Sequence, residues 1–447
     1  MTTVTATLAE WALARNTSQL PADVREAARR CILDWMACAI AGASDPLIPL
    51  LTGAACDEGG NSACTLVAQK DRVSPLQAAL INGATSHVLD YDDVNTGMTG
   101  HPTAAVLPAV LALAESRNAS GTEIIAAYVA AYETAARVGT LVAPGHYARG
   151  YHATCTIGAI AAAAGCARLL QLEQDATQRA IGIAATQAGG LKSQFGTQCK
   201  PFHAGLASQN GLRAALLAAR GMESRIDMLE RAGGFAATLS PDFHPAAALA
   251  EPGRYFIREN LFKYHAACYG THSVVECIRH LRSNHALAPN QVARMVVRVA
   301  PGADTMCNIP NPRSGLEAKF SLRFMAAAAM LGLDTAGLAT YSAATCADAA
   351  LVRMRDKVTV ELASDDWSAR SLQAEVTIET TRGERLHTAY DAAIPETDLG
   401  AQGSRVSAKF DALAGAVLGA PRAAALKGII DKLEGVSAKE LLAACAG

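Results

Sequence analysis

The stretch ATCTIGAIAAAAGCA at residues 153–167 constrains the fold more than any other part of the chain. It is apolar all round and made of small side chains, so it cannot serve as a surface helix, and it is too short to span a bilayer. It predicts a buried helix whose neighbours approach closely. Other alanine-rich segments before about residue 268 have the same texture and supply those neighbours. PADVREAARRCILDWMACAIAGA shows the accompanying punctuation: Pro21 opens it, Val24, Ala28, Cys31, Trp35 and Ala39 repeat at helical spacing, and Gly42 closes it.

Between about 269 and 393 the pattern changes. RMVVRVA at 294–300 and DKVTVEL at 356–362 read as short strands, and QAEVTIETTRGERLHTAYDAA reads as two strands joined around Arg382-Gly383. One long helix, GLEAKFSLRFMAAAAMLGL, is expected among them. At 447 residues the chain exceeds the roughly 250–300 over which one core keeps growing, so two domains are the default. The expected class is mainly α: a large all-helical domain over 1–268 completed by 397–447, and a smaller α+β domain over 269–396.

Charged residues make up only 18%, so clustered charge is informative, and a net charge of −2 gives nucleic acid or an anionic membrane no basic field to meet. The start, MTTVTATLAEWALAR, lacks a basic n-region and carries Glu10, and the twelve cysteines contain no CxxC pair. Both features point to the cytoplasm. Motifs for nucleotide phosphates, zinc proteolysis or a serine nucleophile are missing (no GxGxxG after a strand, GxxxxGK[ST], HExxH or GxSxG). Asp90, Asp92, Asp93 and His101 are the one set suited to a divalent metal, an unspecific pattern, and the expectation is no metal and no cofactor.

Charge concentrates in GATSHVLDYDDVNTGMTGHPTAAVLP, residues 83–108. Ser74-Pro75-Leu76-Gln77 predicts a capping box and a helix running to about Leu89, with His87 on the face of Asp90 and Tyr91. Asp90, Asp92 and Asp93 then crowd a helix C-terminus, where the dipole disfavours carboxylates, so folding gives little reason for them. His101 precedes Pro102 at the mouth of the next helix. The grammar recurs: Arg149, Tyr151 and His152 before one helix, Lys200 and His203 at the start of another, Lys263 and His265 upstream of a fourth. Helix starts offer amides and positive potential to anions. Convergence of the four predicts a cationic, histidine-lined pocket for a small di- or tricarboxylate. There Lys200, Arg149 and Lys263 clamp carboxylates, His101 or His152 is the general base, and an aspartate orients the imidazole. A carboxylate-binding protein without chemistry would use the same lysines but needs no histidine.

HVLDYDD…GHPTAAVLP, RGYH, KPFHAGLASQNG, KYHAACYGTH and SGLEAKFSLRFMAAA, in that order, resemble the MmgE/PrpD family over nearly the whole chain. Its members include 2-methylcitrate dehydratase, cis-aconitate decarboxylase and iminodisuccinate epimerase. The resemblance implies a helical domain closed by the C-terminal segment, an α+β lid domain, a homodimer, and cofactor-free chemistry at an interdomain cleft. It also implies that Asp90 or Asp93, His101, His152, Lys200 and Lys263 line the site; by the reading of the helix starts, Arg149, Tyr151, His203, Lys263 and His265 are the expected substrate-binding residues. The tryptophan-containing stretch of the methylcitrate dehydratases is missing after the aspartates. The chain is shorter than the lyase branches, and His265 stands where the family tends to have proline. Those departures lean the expectation toward epimerisation of an iminodisuccinate-type dicarboxylate, with dehydration or decarboxylation as the alternative.

Overall fold

The computed structural model describes residues 3–14, 17–364, 367 and 372–447. It divides into two compact units, Met1–Phe262 with Thr397–Gly447, and Lys263–Glu396. The fold is mainly α.

The first unit is a helical assembly. Ala153–Leu169 is buried along almost its whole length, as its composition requires, and packs against Pro102–Arg117, Gly121–Val142 and Cys199–Ala219. Pro75–His87 lies on Cys199–Ala219 with backbones in contact: a Cβ added at Gly83 would come 2.7 Å from the Cα of Gly205. Small residues therefore fix the separation of the two helices that carry His87, Lys200 and His203. The C-terminal helix Leu399–Leu418 packs on Ala22–Gly42. A buried ion pair joins them, Lys409 Nζ to Asp34 Oδ1 at 2.6 Å. Among the described residues no single helix is long and apolar enough to cross a membrane.

The second unit holds a four-stranded sheet in the order Val358–Leu362, Val292–Val299, Gln373–Thr380, Arg385–Asp391, the first pair parallel and the others antiparallel. Along Gln373–Thr380 burial alternates, with Ala374, Val376 and Ile378 inward, and His272–His285 packs on the sheet. The strand expectations hold, and Gly383, at φ +84°, makes the turn between the last two. The single long helix expected at 315–333 does not form. It is two helices, Gly315–Lys319 and Leu322–Leu331, because the Ser321 side chain accepts from the Phe324 amide and caps a new start.

Candidate active site

Three helix starts meet in the first unit. His101 is the N-cap of Pro102–Arg117, and its amide donates to Thr154 Oγ1 at 3.2 Å, in the first turn of Ala153–Leu169. His152 is the N-cap of that second helix, and its amide donates to the Gly190 carbonyl at 3.0 Å. Lys200 stands in the first turn of Cys199–Ala219; His203 falls in the second turn, not the first as the sequence predicted. All three starts turn positive potential toward the same region.

The capping box forms at Ser74, but the helix it opens ends at His87, two residues short of the expected Leu89. Asp90 then adopts the left-handed conformation, φ +50°, which turns the chain into a loop closed by the Asn95–Gly100 bridge. The Tyr91 carbonyl, between Asp90 and Asp92, accepts from Lys409 Nζ at 2.5 Å. The buried cation thus holds the backbone that spaces these two carboxylates.

The resulting cluster has a floor and a rim. On the floor, His87 Nδ1 donates to Asp92 Oδ1 at 2.8 Å, and both side chains are at most 1% exposed. Asp92 Oδ2 lies 3.0 Å from His101 Nδ1, a close contact without the alignment of a hydrogen bond. On the rim, His101 Nε2 is 3.6 Å from Asp90 Oδ1, and Lys200 Nζ pairs with the same oxygen at 2.8 Å. His152 faces the cluster, its ring 6.3 Å from that of His87; its Nδ1 is 3.0 Å from His203 Nδ1, and Phe195 meets its ring edge-on at 4.9 Å.

Electrostatics sort these groups. Burial pushes His87 down to about 4, against the pull of Asp92, so His87 is neutral at pH 7. Burial, reinforced by the neighbouring imidazoles and Lys200, also holds His152 well below its usual value, and burial lowers His203. Burial works to raise Asp92, but His87 and His101 outweigh it and hold the carboxyl well below the usual range. Asp92 is therefore the fixed anion of the cluster.

The other sequence candidates have these surroundings. Asp93 turns into a separate buried network, its Oδ2 accepting from Thr103 at 2.5 Å, with the Tyr128 hydroxyl 2.6 Å from the same threonine oxygen. Burial, with Asp34 adding repulsion, raises its carboxyl to about 8, so Asp93 is protonated at pH 7. Arg149 donates to the Thr238 carbonyl at 3.2 Å, and Tyr151 stacks on His146 at 4.8 Å. Lys263 and His265 belong to the second unit and are buried there. The two nitrogens of His265 engage Thr335 Oγ1 at 2.8 Å and Glu276 Oε1 at 3.1 Å, and His272 meets its ring at 4.9 Å.

Sequence reasoning put Asp90 and Asp93 forward, whereas Asp92 and His87 form the floor. Phe195 was overlooked, and its only mark is being the lone aromatic in the polar stretch KSQFGTQCK.

Ligand atoms of His87, Asp90, Asp92 and His101 lie within 4.8 Å of one another. A tetrahedral ion with ligands at about 2.0 Å needs them about 3.3 Å apart. The 2.8 Å His87–Asp92 spacing is that of a hydrogen bond, too short for two ligands of one ion, and Lys200 already supplies Asp90 with a cation. The set suits proton transfer better than metal binding.

The MmgE/PrpD N-terminal domain matches residues 6–248 and the MmgE/PrpD C-terminal domain residues 265–435. The chain is 31% identical over 299 residues to a cis-aconitate decarboxylase-like protein of Aspergillus oryzae, covering 63% of this chain and 62% of that protein. To the cis-aconitate decarboxylase of Aspergillus terreus it is 30% identical over 347 residues, 72% of this chain and 71% of the relative. To the human cis-aconitate decarboxylase it is 29% identical over 321 residues, 69% and 66% respectively. The match thus spans slightly less than two thirds of the first of these relatives. With both family domains present in order over most of its length, the chain belongs to the MmgE/PrpD family.

Proposed function

We propose that the chain is a cofactor-independent lyase that decarboxylates a small tricarboxylate of the cis-aconitate type, using His101 as the proton-transferring group. The observation that carries this reading is the arrangement of His101. One nitrogen lies against the buried anion Asp92, at 3.0 Å, and the other faces the rim where Lys200 stands. Loss of CO2 leaves an electron pair on carbon, delocalised through the adjacent double bond, and a proton must reach carbon to complete the product. An imidazolium stabilised by Asp92 can deliver it. Lys200 exchanges Asp90 for a substrate carboxylate, and the helix starts at His101 and His152 offset the remaining negative charge.

Two of the relatives named above are cis-aconitate decarboxylases, which favours this lyase reading over the epimerisation toward which the sequence leaned. Epimerisation of an iminodisuccinate-type dicarboxylate stands second on one observation. His101 and His152 are separate imidazoles, at 4.4 and 6.3 Å from the ring of His87, and a two-base exchange needs two such groups. Incubation with each substrate in D2O, followed by NMR, separates the readings. The lyase converts cis-aconitate with loss of CO2 and one deuteron on product carbon. Deuterium at the α-carbon of iminodisuccinate with the carbon count retained means an epimerase, and binding of either acid without turnover refutes both.

A further inference from the structure

We propose that His87 is a positioning residue for His101, acting through Asp92 and never touching substrate. This inference rests on the reading of His101 given above. It starts from an asymmetry between two buried histidines. In the second unit both nitrogens of His265 have partners, Thr335 and Glu276, as expected of an imidazole that only fills a core. His87 is just as buried, yet Nδ1 engages Asp92 and Nε2 has no hydrogen-bond partner among the described residues. Burying a bare ring nitrogen costs free energy that an apolar side chain would avoid. The compensating gain lies at Nδ1.

That nitrogen must carry the proton, because the carboxylate beside it can only accept. Donation from a neutral ring stabilises the Asp92 anion without neutralising its charge, so the whole charge stays available to His101. It also fixes the plane of the carboxylate. With Oδ1 committed to His87, Oδ2 is left facing His101 Nδ1. His87 is itself held in the last turn of Pro75–His87, the helix whose backbone touches Gly205 of the Lys200-bearing helix. The support under Asp92 and the cation on the rim therefore share one rigid pair of helices.

The groups around His87 that titrate or carry charge are Asp92, His101, His152 and Lys200, with Asp90 on the rim and Asp93, Asp34 and Lys409 behind Asp92. Without His87, Oδ1 of Asp92 is buried and unmatched. The carboxyl then rotates or takes up a proton, and His101 loses its counter-charge. Its ring is then no longer held in one orientation toward the rim.

The test pairs kinetics with 15N NMR of the histidine rings in the full-length protein. His87→Phe keeps the ring volume and deletes the donor, and it should lower kcat roughly 10- to 100-fold, the usual effect of losing an orienting partner, with KM little changed. His87→Asn places an amide N–H near the Nδ1 position and should recover at least about tenfold of that loss. In the wild type the NMR should show His87 protonated at Nδ1 and not Nε2. Three results would overturn the inference: an Nε2-protonated His87, a His87→Phe variant that loses KM rather than kcat, or an Asn variant as impaired as the Phe variant. If the wild type is inert toward cis-aconitate, the proposed reaction fails, and the protonation site of the His87 ring still decides whether it supports Asp92.

Discussion

Replacing Lys409 by methionine tests whether the C-terminal helix is part of the site's foundation. Its ammonium is buried, 2.6 Å from Asp34 Oδ1 and 2.5 Å from the Tyr91 carbonyl, with the Tyr91 ring 4.0 Å away. Burial works to lower its pKa, but Asp34 outweighs this and raises it, so the pair stays charged. Methionine fills a similar volume but leaves Asp34 as a buried anion next to Asp92 and Asp93. Breaking one partner of such a pair costs about 3–5 kcal/mol. That is a large share of the roughly 5–15 kcal/mol that holds a folded domain together. Neutralising Asp34 should return much of this, so Asp34→Asn in the Lys409→Met background should be more stable than Lys409→Met alone. Urea unfolding followed by circular dichroism on the wild type, both single variants and the double variant gives the coupling directly. A single-variant cost below about 1 kcal/mol, or costs that simply add in the double, would refute the reasoning. The Tyr91 carbonyl also spaces Asp90 from Asp92, so the folded fraction of Lys409→Met should turn over more slowly than the wild type.

Further outcomes follow from the same geometry. Lys200→Met removes one charge-assisted contact worth about 1.5–3 kcal/mol, so steady-state kinetics should show KM for a tricarboxylate raised roughly 10- to 150-fold, and an unchanged KM removes Lys200 from the site. His87 is held near 4, below its ordinary 6.5, so the unfolded chain binds the extra proton first and stability falls as the pH drops from about 6.5 to 4. A His87→Phe thermal-melt series should lack that slope. Asp93 runs the other way. With its carboxyl raised from 3.8 to about 8, the folded state holds the extra proton and stability falls as the pH rises through that range. Asp93→Asn should flatten the decline in melting temperature between about pH 4 and 8, and an unchanged decline would mean that the carboxyl is ionised in the fold. Prolonged treatment with a strong chelator should leave activity intact; inactivation reversed by added metal would move the cluster of His87, Asp90, Asp92 and His101 to the metal-binding side.

Much of the fold was legible because its signals are local. The capping box at Ser74, the all-apolar run at 153–167 and the alternation in QAEVTIET each name their own structure. The break at Ser321 was not legible, because the surrounding residues favour helix and only the hydroxyl cap on the Phe324 amide decides for a new start. At the site, His101, His152 and Lys200 were readable as residues at helix mouths. The division of labour among three nearby aspartates was not. It depends on the left-handed turn at Asp90, which sends Asp92 to two imidazoles and Asp93 to Thr103, and nothing in the LDYDD run distinguishes these partners. Arg149 looked like a carboxylate clamp because charge at a helix start is ambiguous; it donates to a backbone carbonyl.

Deuterium transfer to carbon, measured in single turnovers of cis-aconitate in D2O with His101→Gln beside the wild type, tests the account most directly. The wild type should release CO2 and place one deuteron on each product molecule. His101→Gln should do so about 100-fold more slowly or worse, the loss expected when a positioned acid–base group is removed. A glutamine variant within threefold of the wild-type rate would contradict the assignment of His101 as the group that gives carbon its proton.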